Sequence, residues 1–297
     1  MKIIIVSLNS VIDIHHTMDD FFVNRENFSN KITVFPAGKG VNVAKAIKEI
    51  GAKYALYVLL GRENADKFEQ LLRTSEIDYL PFYCDGKIRE NISIHAKNIK
   101  ETRICSNEFN ATNIDCAKIL EEIDLISTAE DIIVFSGRLP TNISSKFISK
   151  YLSKISKKGC RLIIDSASFT IDDYKEIKPY LIKPNECEIS IFGDTETSAI
   201  KSLLQSGVEN IALSKGEKGI EYVNNQTHIS ITPPSINALS TVGAGDSSVA
   251  GFAYALSMGF NTKDSVKFAV ACGSACCLTD GGMPPNKNDI MKIFHLI

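Results

Sequence analysis

The sequence predicts an α/β protein: a doubly wound, mostly parallel sheet with helices on both faces and a small β lid. Apolar runs of strand length alternate with segments of helical period along most of the chain. The runs are apolar throughout instead of at every second position, as strands covered on both faces require. Two stretches break that rhythm and supply the lid.

KIIIVSL (2–8) is the first strand candidate, followed by VNVAKAIKEIG, whose Val43, Ala46, Ile47 and Ile50 share a helical face. KYALYVLLG and NADKFEQLLRTS repeat the pair. Residues 14–35 are polar and irregular, and residues 91–110 alternate as exposed strands do, so both are assigned to the lid. The rhythm resumes with DIIVFSG (131–137), a helix from Ser144, and the strand candidates CRLIIDS (160–166), PYLIK (179–183) and NIALSKG (210–216). Within GDSSVAGFAYALSMG, residues Val249, Phe252, Ala253 and Leu256 line one helical face, and TKDSVKFAVACGSACC reads as another helix. No repeat, low-complexity tract or linker divides the chain, so residues 1–297 are expected to form one core domain with its lid.

With 33 Lys and Arg against 35 Asp and Glu, the net charge of -2 gives no basic surface for nucleic acid and favours a small-molecule partner. The apolar start is broken by Ser7 and Asn9, too short for a signal-peptide core, and Val249–Phe260 falls well short of the roughly 20 residues that cross a bilayer. The eight cysteines form no C-x-x-C pair and have no histidines at metal spacing. Free thiols in a reducing compartment follow, and with them a soluble, cytoplasmic protein.

Chemistry concentrates in four glycine- or proline-marked turns. STVGAGDSSVAGF (240–252) opens a helix behind Gly243 and Gly245, where first-turn N–H groups form an anion site and Asp246 could take a proton from a hydroxyl. An ordinary helix-capping aspartate is the plain alternative. PAGKGVNVAKAIKEIG (36–51) is a second glycine turn, holding Lys39 and Asn42. In KPNECE (183–188), Asn185 and Glu188 are three apart and could hold a hydrated Mg²⁺. LSKGEKG (213–219) puts two glycines and two lysines after a strand, at the sheet edge where α/β proteins bind ligands. Each alone is as consistent with a turn as with a site.

In this order, and with LNSVID, the IREN segment and FSGRLP, these pieces resemble the PfkB, or ribokinase-like, family of carbohydrate kinases over nearly the whole chain. AGKGVNVAKAIKEIG, LGRENADKFEQLL and STVGAGDSSVAG look most like 1-phosphofructokinases, with tagatose-6-phosphate kinases second. The resemblance implies a ribokinase-like fold and phosphorylation of a ketohexose phosphate by ATP with Mg²⁺, foremost D-fructose 1-phosphate to fructose 1,6-bisphosphate. It implies Asp246 as catalytic base and Gly243, Ala244 and Gly245 as anion hole. Asp13, Gly38, Lys39 and Asn42 are implied on the sugar, with Arg89, or else Arg103, on its existing phosphate. Lys183, Asn185, Ser214, Gly216 and Gly219 are implied on the ATP side, and Asn185 with Glu188 at Mg²⁺, through water. A homodimer joined through the lid is also expected.

Departures are Ser10, where the family commonly has proline; Arg138, where it commonly has serine; and Lys215, where it commonly has an apolar residue. Arg138 could meet a phosphate or face solvent; Lys215 could touch the nucleotide or lie on the surface. The five histidines stand beside no nucleophile and receive no catalytic role, His15 and His16 being placed in a loop. A sugar-phosphate sensor would be expected to have lost Asp246 or the Asn185–Glu188 pair, and an NAD-dependent dehydrogenase would need G-x-G-x-x-G after its first strand.

Overall fold

The computed structural model describes residues 1–99, 102–106 and 110–297. Its strands are β1 (Ile3–Ser7), β2 (Val11–Thr17), β3 (Lys31–Ala37), β4 (Tyr54–Gly61), β5 (Leu80–Cys84), β6 (Arg89–His95), β7 (Thr102–Cys105), β8 (Ile132–Ser136), β9 (Arg161–Asp165), β10 (Leu181–Ile182), β11 (Asn210–Ser214), β12 (Ile220–Val223) and β13 (His228–Ile231). The helices are α1 (Lys39–Ile50), α2 (Ala65–Thr74), α3 (Asn113–Ile126), α4 (Ser145–Lys157), α5 (Ile171–Ile177), α6 (Glu186–Ile189), α7 (Glu196–Gln205), α8 (Ala244–Ser257), α9 (Thr262–Cys276) and α10 (Lys287–Leu296).

Among the described residues, nine strands form one sheet in the order β13-β12-β11-β10-β9-β8-β1-β4-β5. Its pairings are parallel from β11 to β5, while β12 pairs antiparallel with β11 and β13 antiparallel with β12. Because successive side chains point to opposite faces, the unbroken apolar runs fill two cores. Ile3, Ile5, Val134 and Ile163 pack with α1, α8 and α9, while Ile4, Val6, Phe135 and Ile164 pack with the side chains of α3, α4 and α5. Polar starts fix the second group of helices: Thr112 with Asp115 and Thr170 with Asp173 form reciprocal capping boxes at α3 and α5.

The chain runs outward from β1 through β4 to β5, then returns to add β8 on the other side of β1. The strand order reverses between β1 and β8, the position at which sheets of this kind form a ligand crevice beyond the strands' carboxyl ends. No helix among the described residues is long and apolar enough to cross a membrane.

A second sheet, ordered β3-β2-β6-β7, stands over this edge. Its register sets Asp13 opposite Phe35 on one side and Asn91 on the other, and Ser93 opposite Arg103. Strand structure begins at Val11, so Asp13 sits within β2 and only residues 18–30 of the first irregular stretch lack regular structure. His15 and His16 also lie in β2, which corrects their assignment to a loop. Of the 91–110 stretch, residues 100, 101 and 107–109 lie outside the described residues. The PYLIK segment contributes two strand residues, since the chain leaves the ladder at Lys183–Pro184. There Ser214 N–H donates to Pro184 O at 2.9 Å, stitching the two turns together.

Helices α8 and α9 pack closely, and Gly251 makes the approach possible. A Cβ there would stand 2.8 Å from Ala269 Cα and 3.0 Å from Cys272 Sγ. Alanine in a helix normally gains about 1 kcal/mol over glycine, but overpacking against an immobile backbone costs about 1–3 kcal/mol. Gly251→Ala is therefore expected to lower the denaturant midpoint in equilibrium unfolding; a higher midpoint would show that the two helices can part without loss.

Candidate active site

The glycine turn before α8 aims the helix N-terminus into the crevice. Gly243 supplies the left-handed φ of 83° that the turn needs, and Asp246 follows in the first turn of α8, almost fully buried. Asn42, one turn into α1, donates from Nδ2 to Asp246 Oδ2 at 2.8 Å and so fixes the carboxylate's orientation. Burial, and after it the nearby Asp165 carboxylate, pushes the Asp246 carboxyl up to about 6, against the pull of Lys39, Asn42 and Lys183. A carboxyl in that range is ionised at neutral pH yet able to accept a proton, as general-base chemistry requires.

Two ammonium groups stand beside it. Lys39 opens α1, and its Nζ lies 3.2 Å from Asp165 Oδ2 and 3.8 Å from Glu188 Oε1. Burial works to lower the Lys39 pKa, but Asp165, Asp246 and Glu188 outweigh it and hold the ammonium above its ordinary value. Lys183, just past β10, reaches Asp165 Oδ1 at 3.5 Å, and a Cβ on Gly245 would meet Lys183 Nζ at 3.3 Å. The anion turn and the ammonium therefore face the same space. Asp165 ends β9 and carries both lysines, although no motif marked it; its signal in the sequence is a carboxylate at the carboxyl end of an apolar strand. Gly38 precedes Lys39 at φ 114°, with a would-be Cβ only 2.9 Å from Asn9 O.

On the second sheet, Asp13 is buried and accepts two hydrogen bonds from Arg103 Nη2, both at 2.7 Å, and one from Asn91 Nδ2 at 3.1 Å. Arg103, one of two candidates for a substrate phosphate, is thus bonded to the carboxylate proposed for sugar hydroxyls. Arg89 begins β6, partly buried, opposite Val11. Asn91 was missed by sequence reasoning, because its partner lies on another strand. His15 Nδ1 is 3.0 Å from His95 Nε2, and the His15 ring meets Phe35 edge-on at 5.5 Å.

On the opposite side of the crevice, Asn185 and Glu188 form a capping box on α6. Glu188 N–H donates to Asn185 Oδ1 at 2.8 Å, and Asn185 N–H to Glu188 Oε2 at 3.0 Å. One Glu188 oxygen still faces Lys39. Among the described residues no three His, Cys, Asp or Glu side chains gather as a metal cage. A single partly exposed carboxylate oxygen suits Mg²⁺, which keeps most of its waters and completes its shell with substrate phosphates. Ser214 ends β11 with its Oγ bonded to Pro184 O, and Gly216 and Gly219 both take positive φ in the turn that follows. Gly219 tolerates no side chain, since a Cβ would lie 1.9 Å from Ile231 O.

Of the departures, Ser10 is buried and donates to Leu59 O at 2.9 Å, replacing a proline's rigidity with a hydrogen bond. Arg138 is exposed, and Lys215 is bridged to Glu196 and Glu221. All eight cysteines are free thiols.

The family model for pfkB family carbohydrate kinases matches residues 4–289. Over 283 residues the chain is 28% identical to a 1-phosphofructokinase of Haemophilus influenzae, covering 91% of this chain and 89% of that one. It is 28% identical over 268 residues to the ATP-dependent 6-phosphofructokinase isozyme 2 of Escherichia coli, covering 87% of each. In three dimensions it matches phosphofructokinase-2 from Escherichia coli, in complex with substrates and products, at a TM-score of 0.90 and 24% identity, over 100% and 99% of the two chains. Ribokinase from Thermotoga maritima gives 0.79 at 22% identity, over 99% of each chain. The ribokinase-like fold is thereby shown.

The Asp246 environment has a consequence for stability. A carboxyl whose pKa is higher folded than unfolded binds more protons in the native state, so it destabilises the fold progressively as pH rises through the interval between the two values. Here that interval runs from about 4, the unfolded value, to about 6. Asp246→Asn should therefore melt several degrees above the parent at pH 7, a gain on the order of 2 kcal/mol. The advantage should vanish near pH 4. Equal melting temperatures across the range would mean that the carboxyl is not held in an unfavourable environment.

Proposed function

The chain belongs to the pfkB family of carbohydrate kinases, and on that premise we propose that it transfers the γ-phosphoryl group of ATP to a primary alcohol of a ketohexose phosphate. D-fructose 1-phosphate, giving fructose 1,6-bisphosphate, is the favoured substrate, ahead of tagatose 6-phosphate. The observation that carries the reading is the buried Asp246 carboxylate, turned by Asn42 at the mouth of the glycine turn and poised near pH 6.

In the proposed reaction Asp246 accepts the proton of the attacking hydroxyl, and the N–H groups of Gly243, Ala244 and Gly245 face the negative charge that develops on the phosphoryl group. Lys39 and Lys183 add positive charge from the opposite wall. Asp13, aligned by Asn91 and Arg103, takes sugar hydroxyls, with Gly38 and Asn42 closing the sugar's side. Arg89, or else Arg103, is assigned to the sugar's existing phosphate. Lys183, Asn185, Ser214, Gly216 and Gly219 frame the nucleotide side. Glu188, capped by Asn185, would hold Mg²⁺ through water, and the ion when bound neutralises phosphate charge. A ketohexofuranose has a primary alcohol at each end, so phosphate recognition at one end selects which alcohol meets the base.

The relatives' names support the substrate class: 1-phosphofructokinases recur among them from Haemophilus influenzae, Vibrio cholerae and Escherichia coli. The eight cysteines, all free, are consistent with the cytoplasm.

A homodimer through the second sheet also belongs to this reading. Strand alternation puts Ile32 and Ile104 on the face opposite Asp13, and they are 58% and 55% exposed. Covering that face with a second copy would remove both apolar side chains and an open strand edge from water.

ADP release measured against fructose 1-phosphate, tagatose 6-phosphate and fructose should rank them in that order in kcat/KM. Asp246→Asn should cut kcat by roughly 10² to 10⁴-fold with substrate binding retained. Turnover within a few-fold of the parent would reduce Asp246 to a helix cap. In sedimentation, the parent should run as a dimer and the double variant Ile32→Lys, Ile104→Lys as a monomer; a monomeric, fully active parent rules out the pairing.

A further inference from the structure

Lys45 lies on α1 one turn past Asn42 and is only 5% exposed. An ammonium is expensive to bury unless hydrogen bonds and opposite charge compensate it. Its Nζ donates to Gly282 O at 3.1 Å and stands 5.7 Å over the Phe35 ring. The ionisable groups that face it are Asp13 from β2, Asp246 from α8 and Cys276 from α9.

Gly282 belongs to the segment between α9 and α10, which is threaded through the site. At its φ of 90°, a Cβ would come within 3.1 Å of Phe35, and a Cβ on Gly281 would meet Ser240 Oγ at 3.1 Å and His15 at 3.6 Å. Cys276 Sγ lies 3.6 Å from Val242 O and 3.9 Å from Met283 O, so the same segment lies against the turn that ends at Gly243. Lys45 is therefore the bond from α1, the helix that carries Lys39 and Asn42, to the chain that wedges the second sheet against the anion turn.

We propose that Lys45 is a positioning residue for phosphoryl transfer: its ammonium fastens the Gly281–Gly282 segment between Phe35 and the Val242–Gly243 turn, and adds a positive charge to the surroundings of Asp13 and Asp246. The inference rests on the kinase reading above. Because burial drives the ammonium down to about 8, against the pull of Asp13, Asp246 and Cys276, it is charged at neutral pH and loses its proton within an accessible range. The charged form does the fastening, so the parent's activity should decline as pH rises through about 8.

The test is kcat/KM against pH for the full chain, its Lys45→Arg and its Lys45→Met variants, with thermal melting of each. A guanidinium stays charged throughout, so Lys45→Arg is expected to work within a few-fold of the parent at pH 7 and to keep its activity past the pH at which the parent declines. Lys45→Met is expected to lose about tenfold or more at pH 7. Its acid limb should also move up, since Asp246 loses a neighbouring positive charge and holds its proton to higher pH. A Lys45→Met profile parallel to the parent's, with only a lower melting temperature, would make Lys45 a packing residue and overturn the proposal. Should that variant not fold, an alkaline limb in Lys45→Arg identical to the parent's overturns it equally. Turnover by the parent separates the two readings: with no sugar phosphorylated, the kinase assignment fails and this inference with it, whereas with an active parent the variants bear on Lys45 alone.

Discussion

Asp165, 1% exposed at the carboxyl end of β9, holds the ammonium groups of Lys39 and Lys183. Lys183 is itself buried and depends on that carboxylate, because an unpaired buried charge costs several kcal/mol. The pair reaches Asp165 from different directions, Lys39 from the N-terminus of α1 and Lys183 from the exit of β10. One side chain thus registers a helix against two parallel strands. It also sets the electrostatics of Asp246: the Asp165 carboxylate raises that group directly while the lysines it holds lower it, and burial tips the balance upward.

The arrangement trades stability for chemistry. A carboxyl kept ionised where burial disfavours it, with another carboxylate nearby, is a local defect by the standards of a packed core. The surrounding framework is stable enough to hold it. The floor of the crevice is a largely apolar, mostly parallel sheet, and α8 is buried along most of its length against α1 and α9. Strain of this kind persists where rigid elements leave the group no alternative, and glycine turns with positive φ at Gly38, Gly137 and Gly243 bring those elements together.

The second sheet completes the site from above. Asp13 and Asn91 face inward from neighbouring strands, and Arg103 reaches across from the edge to the same carboxylate. The chain between α9 and α10 ties this sheet to the glycine turn through Gly281 and Gly282. The Asp13 cluster and the Asp246 turn therefore stand on separate sheets joined by α1 and by that segment, and their alignment depends on contacts between residues more than two hundred positions apart.

Local signals made much of this legible. Unbroken apolar runs specified a two-faced parallel sheet, because only burial on both sides tolerates strands without polar positions; helical spacing and glycine turns located α1 and α8 and the polar residues at their starts. The GAGD turn, Lys39 with Asn42, and the Asn185–Glu188 spacing are all short-range patterns, and short-range patterns survive in sequence. What the sequence left out is what pairing across the fold creates. Asp165 lies in no motif, and Asn91 and Lys45 lie in IREN and AGKGVNVAKAIKEIG without a part of their own being marked there; each acquires its part from a partner at long range: Lys39 and Lys183, Asp13, and Gly282. The sequence by itself determined the alternation of buried strands with amphipathic helices and the places of the glycine turns, since hydrophobic period and backbone freedom are local properties. Only the tertiary structure decided which charges meet, that Arg103 binds Asp13, and that Asp246 is buried against Asn42, because burial and charge pairing depend on distances that no local pattern encodes.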